Sequence, residues 1–206
     1  MSNPTAAVIL CGGESRRMGR SKAWLPFGDE RMLERVVRLV TLAASPIVVV
    51  GAQGQELPPL AGDVKVVRDE IPGRGPLEGL AAGLNAFRED VELVYVTGTD
   101  VPFLEPRWIY HLVQLSDGYD LVIPYADAHH HPLAALYRRS SALSAINEVL
   151  RANGRRLVDL IESISTRVVD ESDLRSVDPG LQTLRNINSP EDYAEALRDA
   201  DLPPRQ

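Results

Sequence analysis

An apolar run, Ala6–Leu10, gives way without a linker to residues 10–22, LCGGESRRMGRSK, which pack three glycines and four cations into thirteen positions. The run AAVIL, continuing into Cys11, reads as a buried parallel strand, so the loop that follows lies at that strand's carboxyl end. Ligands of open α/β sheets bind at that end. Glycines let backbone N–H groups come close to an anion, and Arg16, Arg17, Arg20 and Lys22 offer charge-assisted donors to its oxygens. The common phosphate fingerprints are not met. Arg20 and Ser21 separate Gly19 from Lys22, which breaks a Walker A loop, and no Gly-x-Gly-x-x-Gly is present. The segment therefore specifies an anion site in an α/β protein and nothing finer, the competing reading being a solvated basic turn.

Composition narrows the class of protein. At 206 residues the chain can bury one substantial core, and no Ser/Gly/Pro-rich linker divides it, so a single domain spanning 1–206 is expected. A net charge of −7 argues against nonspecific nucleic-acid binding, and it makes four cations in one loop a local reversal of sign that suits a focused anion site. No apolar run reaches membrane-spanning length and no signal peptide is visible, so a cytoplasmic setting with no membrane partner is expected. The single cysteine excludes an intrachain disulfide; inside a strand it is expected to be buried and inert, the alternative being a reactive thiol beside the cationic loop. Acidic residues at 170–173 and 191–201 read as solvated surface.

Further along, Met32, Leu33, Val36, Val37, Val40 and Ala43 recur at helical spacing, so a helix is expected to cover the sheet. Pro46 leads into IVVVG, a second buried strand, and a Pro/Gly-rich loop over 54–62 leads to a third at 64–67; the alternation suggests right-handed βαβ crossovers. Pro76 suits the first turn of a helix running to about Phe87, in which Gly79 and Gly83 allow another element to approach closely. ELVYVTG is expected as a strand, 106–115 as a helix, and DLVIPY and PLAALYR as strands. Ser189, Pro190 and Glu191 look like an N-cap and first helical turn, opening a final helix through Leu197.

Several residues after these strands carry chemistry. Asp100 stands just beyond VYVTG, and Val101 and Pro102 stop the strand; an acid there can hold Mg²⁺ beside bound phosphates, or simply cap a turn. Asp69 holds a comparable place after VKVVR and can accept from a base or ribose, assist a metal, or solvate a loop. His129, His130 and His131 alternate across extended backbone, which makes them a poor single tetrahedral site, so a turn is the simpler reading. Asn186 and Asn188 flank Ile187 and project from one face, toward a polar heterocycle or into the turn before the last helix. Arg155 and Arg156 meet a substrate phosphate or occupy a solvated helix start.

Taken together, these residues resemble the molybdenum cofactor guanylyltransferase family, within the Rossmann-like nucleotidyltransferase superfamily. Residues 10–22 resemble its L-x-G-G-x-S-x-R-M-G-x-x-K signature, 75–79 its G-P-L-x-G segment, and 99–102 its metal-binding Asp turn. His131, Pro132 and Leu133 look like its H-P segment, and residues 186–190 like its N-x-N-T/S-P motif. The resemblance implies a three-layer αβα fold with a largely parallel sheet, a nucleotide-binding half over about 1–104 and an acceptor-binding half over about 105–200. It implies transfer of GMP from GTP to Mo-molybdopterin with release of pyrophosphate, using Mg²⁺ as cofactor. By motif position Leu10, Cys11, Gly12, Gly13, Lys22, Asp69, Gly79 and Asp100 would contact nucleotide, with Asp100 as metal ligand. Arg17, Lys22 and Asp100 would be catalytic, and His131, Asn186 and Asn188 would meet the acceptor. Where some members carry Asn after the second strand, this chain has Gly51, followed by Ala52 and Gln53. The rival functions are a CTP-dependent cytidylyltransferase for the same cofactor, a sugar-phosphate nucleotidyltransferase, and a noncatalytic nucleotide-binding cofactor carrier. Handling an unstable cofactor also implies transient contacts with proteins that deliver or receive it.

Overall fold

The computed structural model describes residues 5–12, 21–60, 62, 64–69, 75–154 and 156–203. Gly13, Arg16, Arg17, Arg20 and Arg155, named above as candidates, lie outside these residues. In chain order the elements are β1 (Ala6–Leu10), a 3-10 turn (Lys22–Trp24), β2 (Pro26–Phe27), β3 (Glu30–Arg31), α1 (Met32–Thr41), β4 (Ile47–Ala52) and β5 (Val64–Asp69). There follow α2 (Pro76–Asn85), β6 (Leu93–Gly98), α3 (Pro106–Gln114), β7 (Leu121–Ala126), β8 (His129–His130), β9 (Ala134–Arg138) and α4 (Arg139–Arg151). A 3-10 turn (Leu157–Leu160), β10 (Thr166–Val169), α5 (Glu171–Leu174), a 3-10 turn (Gln182–Leu184) and α6 (Pro190–Asp199) complete the chain.

The main sheet has the strand order β10-β7-β9-β6-β1-β4-β5, with β8 pairing to β7. β1 lies between β4 and β6 and pairs with both in parallel, which suits a strand whose first four residues are all buried. β9 is antiparallel to both β6 and β7, so β7 again runs the same way as β6. The carboxyl ends of β1, β4, β5, β6 and β7 therefore share one edge.

Two apolar layers close on the sheet. On one face Ala7, Ile9, Val49 and Tyr95 meet Leu33, Val36 and Val40 of α1, Trp108 and Leu112 of α3, and Leu174 of α5. On the other, Val8, Val48, Val50 and Val96 meet Leu77, Leu80 and Leu84 of α2 and Ala142 and Ile146 of α4. The arrangement is a three-layer αβα fold with a mostly parallel sheet. A third cluster joins distant parts of the chain: Leu25, Phe27 and Met32 pack with Ile187, Ala196 and Leu197. It seats α6 on the segment that follows Lys22.

Several expectations need correction. The β2–β3 hairpin was not foreseen, being two residues a side around Gly28 at φ 67°. β5 is an edge strand with Val66 41% exposed, not a buried one, and no helix stands between β4 and β5 among the described residues, so that step is not a βαβ unit. α4 and β10 were missed: α4 opens on Arg139, Ser140 and Ser141, which blunt its apolar rhythm. The turn expected at the histidine run sits earlier, at Asp127 and Ala128 (φ 49° and 63°), and His129 and His130 pair with Ala126 and Tyr125. The final helix continues to Asp199 from the expected cap, where Ser189 Oγ accepts from the Asp192 N–H at 3.1 Å.

Close approach in α2 is real at one of its two glycines. A Cβ on Gly83 would lie 2.7 and 2.9 Å from the Val8 methyls and 3.0 Å from Val50 Cγ2, whereas one on Gly79 would find its nearest neighbour at 3.6 Å. Replacing glycine by alanine in a helix gains about 1 kcal/mol of propensity, and forcing a methyl into a packed core costs typically about 1–3 kcal/mol. Gly83→Ala is therefore expected to lower the urea midpoint of unfolding, and Gly79→Ala to leave it unchanged or raise it.

Candidate active site

Lys22 and Asp100 reach each other from the segments that follow β1 and β6. Lys22 opens the first 3-10 turn, which buried Ala23 anchors and which Trp24 ties down by donating its indole N–H to Glu56 O at 3.0 Å. Asp100 follows β6, and its carboxylate folds back over the strand end: a Cβ on Gly98 would lie 2.7 Å from Asp100 Oδ1. Gly98 stands opposite Leu10 in the parallel register. The lack of a side chain at Gly98 thus gives the carboxylate its place, a role not singled out from sequence.

The lysine ammonium donates to Asp100 Oδ2 at 2.7 Å and to Asn188 Oδ1 at 2.9 Å. Both members of the ion pair keep about a fifth of their side-chain surface in solvent. Charge-assisted bonds of this length are among the stronger ones a protein makes. Asn188 is held in turn by the cap of α6, because its backbone N–H donates to Asp192 Oδ2 at 2.8 Å. That donation is the main reason the Asp192 carboxyl lies below the usual carboxylate range, with the Lys22 charge adding to it. The preceding residue grips the other partner: Ile187 N–H donates to Asp100 O at 2.9 Å.

A second group gathers on the α2 side of the same edge. Gly79 brings Leu10, Val50 and Asp69 within reach of one point, its virtual Cβ lying 3.6 Å from Leu10 Cδ2 and 4.0 Å from Asp69 Oδ2. Asp69 is the last residue of β5, paired with Ala52. Gly12 passes close to the end of β4, where a Cβ would stand 3.3 Å from Ala52 N. At Gly51 a Cβ would displace the movable end of the Arg68 guanidinium and lie 3.3 Å from Gln55 Oε1. Gln55, missed in the sequence, staples two strand ends: its amide accepts from Ala52 N–H at 2.8 Å and donates to Cys11 O at 3.1 Å.

The remaining candidates are placed as follows. His131 lies between β8 and β9, where Nε2 is 3.2 Å from Ala126 O; burial, ahead of the neighbouring His129 charge, pushes its pKa below the ordinary histidine value. The rings of His129 and His131 stand 4.2 Å apart, while His130 turns to Tyr125, so the run does alternate. Among the described residues no group of three or more His, Cys, Asp or Glu is arranged to hold a metal ion. Asn186 and Asn188 are exposed on either side of buried Ile187, as an extended segment requires. Arg156 pairs with Asp159 at 2.8 Å and fits the solvated reading.

Cys11 lies just past β1, its backbone N–H bonded to Val50 O at 2.8 Å and its sulfur 3.8 Å from Gln55 Nε2. Cys11 is half-buried, and burial pushes its thiol pKa up against weaker lowering by Thr99 and Gln55, which favours the protonated form. The thiolate is the reactive form. Alkylation of the native protein by iodoacetamide at pH 7.5 is expected to be much slower than that of a model thiol, with normal reactivity restored in denaturant; as the only cysteine, Cys11 is read directly by mass.

The chain is similar in sequence and fold to known proteins. Residues 7–168 match the sequence model of the MobA-like NTP transferase domain. A probable molybdenum cofactor guanylyltransferase of Mycobacterium tuberculosis is 38% identical over 192 residues, covering 90% of each chain. One from Pelotomaculum thermopropionicum is 35% identical over 191 residues, covering 92% of this chain and 90% of the relative. In structure, molybdopterin-guanine dinucleotide biosynthesis protein A of Archaeoglobus fulgidus superposes with a TM-score of 0.78 at 23% identity, covering 96% and 99% of the two chains. The fold is shared more widely, as with 2-C-methyl-D-erythritol 4-phosphate cytidylyltransferase of Thermus thermophilus, TM-score 0.72 at 16% identity over 96% and 100%. With a domain match over most of its length and relatives above 30% identity, the chain belongs to the MobA-like NTP transferase family.

Proposed function

We propose that this protein transfers GMP from GTP to Mo-molybdopterin, forming the guanine dinucleotide cofactor and pyrophosphate. The observation that carries the reading is the meeting of Lys22 and Asp100 at the sheet edge of a chain with this family membership. A terminal phosphate oxygen of the acceptor attacks the α-phosphorus of GTP; the new P–O bond forms as the bond from the α-phosphorus to the bridging oxygen breaks, and pyrophosphate carries off that oxygen and its electrons. An anionic phosphate nucleophile needs no general base. The protein's task is therefore positioning and neutralisation of charge.

The residues present fit a magnesium ion delivered with the nucleotide. Asp100 offers a carboxylate of which only Oδ2 is bonded to Lys22, and Mg²⁺ commonly takes one or two carboxylates with phosphate oxygens and water. When bound, the ion would withdraw charge from the phosphates. Lys22 would hold the triphosphate and its transition state together with Arg17. The backbone of Leu10, Cys11, Gly12 and Gly13 would cradle phosphates, with Asp69 and Gly79 toward the rest of the nucleotide. His131 and Asn186 would face the acceptor. No helix among the described residues is long and apolar enough to cross a membrane.

The test is pyrophosphate release with Mo-molybdopterin and Mg²⁺, comparing GTP, CTP, ATP and UTP. GTP is expected to be preferred; a clear CTP preference would replace guanine by cytosine in this reading, and binding without release would favour a carrier. Asp100→Ala is expected to cut turnover by about 100-fold or more in a folded protein, in line with losses on removing one electrostatic stabiliser. Near-normal turnover by that variant would remove Asp100 from the chemistry.

A further inference from the structure

The side chain of Asn188 points at the phosphate lysine. Its amide oxygen accepts from Lys22 Nζ at 2.9 Å, and its neighbour Ile187 bonds the backbone of Asp100, so two consecutive residues hold both halves of the ion pair. The grip is stiff. Asp192 accepts the N–H groups of Asn188 and Ser189 at 2.8 and 2.9 Å, and Ile187 is fully buried against Leu25, Phe27 and Met32. All of these C-terminal residues lie beyond 168, where the family match ends.

A lysine ammonium has three hydrogens and a flexible four-carbon stem. Two hydrogens are accounted for by Asp100 and Asn188. Were Asp100 to share its carboxylate with a cation and hold the lysine less firmly, Asn188 would remain an acceptor that fixes the ammonium, with hydrogen left for a phosphate oxygen. A neutral amide suits this task because it holds the lysine without adding a second anion beside a triphosphate.

We propose that Asn188 is a positioning residue of the nucleotide site, acting through Lys22, so that the segment opening α6 serves triphosphate binding instead of contacting only the acceptor. The inference rests on the assignment of Lys22 to the triphosphate. It is tested by equilibrium binding of Mg²⁺-GTP, with no acceptor present, to the full chain and to Asn188→Leu, Asn188→Ala, Lys22→Ala and the Lys22→Ala/Asn188→Leu double variant, each checked for folding by thermal unfolding.

Losing one hydrogen bond to a charged group weakens binding by about tenfold or more, so each Asn188 variant is expected to bind GTP about tenfold more weakly. The double variant is expected to bind no worse than Lys22→Ala alone, because the asparagine acts only through the lysine. A merely structural defect would instead add to the lysine loss, and additive losses overturn the proposal. So does unchanged GTP affinity in both Asn188 variants, including the case in which only the acceptor KM rises. Wild-type affinity in Lys22→Ala would overturn the assignment of Lys22 itself, and with it the proposal, which separates the two failures.

Discussion

The parallel pairing of β1 between β4 and β6 is the constraint on which the rest of the molecule depends. It sets Leu10 opposite Val50 on one side and Gly98 on the other, so three chain segments leave the sheet at one level. The loop after β1 leads to Lys22, the turn after β6 carries Asp100, and the end of β4 supplies the wall that Gly12 passes. Backbone hydrogen bonding has thereby solved most of the positioning problem before any polar side chain is placed. The ion pair is the product of that register; a one-residue slip of β6 would carry Gly98 and Asp100 together to the other face, away from Lys22.

The site is built from two kinds of support. Apolar packing on both faces fixes the strands, and a separate cluster of Leu25, Phe27, Met32, Ile187, Ala196 and Leu197 fixes the approach of the lysine. Polar contacts then refine direction: Gln55 joins the ends of β1 and β4, and the Ser189–Asp192 cap aims Asn188. Hydrogen bonds to charged groups reward good geometry strongly, so a rigid apolar frame behind them is what makes their direction dependable.

Much of this was legible in the sequence where a local pattern has a local cause. AAVIL and LVYVTG announce buried strands by their apolar runs, Pro76 and Pro106 mark helix starts by their fixed φ, and Ser189 with Pro190 marks the last cap. The place of Asp100 just past a strand was legible because the apolar run before it stops, and β6 ends at Gly98. What escaped has no local signature. AALYR has the same pattern whichever way β9 runs, and β2, β3 and β8 are two residues long, below any periodicity. The bond from Gln55 to Cys11 joins two strand ends, and the aim of Asn188 arises from a contact between distant parts of the chain. Its projection beside Asn186 could be read from alternation around Ile187; its partner could not.

The distance along the chain between Lys22 and Asn188, 166 residues, bears on how the protein comes to exist. Contacts of such separation close the largest loops in a fold and are entropically unfavourable until the intervening elements have formed. The sheet core from β1 to β6 can gather its own neighbours early, while the lysine must wait for the final helix to settle on the β2–β3 hairpin. A chain emerging from synthesis in order would therefore form its sheet core well before Asn188 could reach Lys22 and complete the cluster around the ion pair.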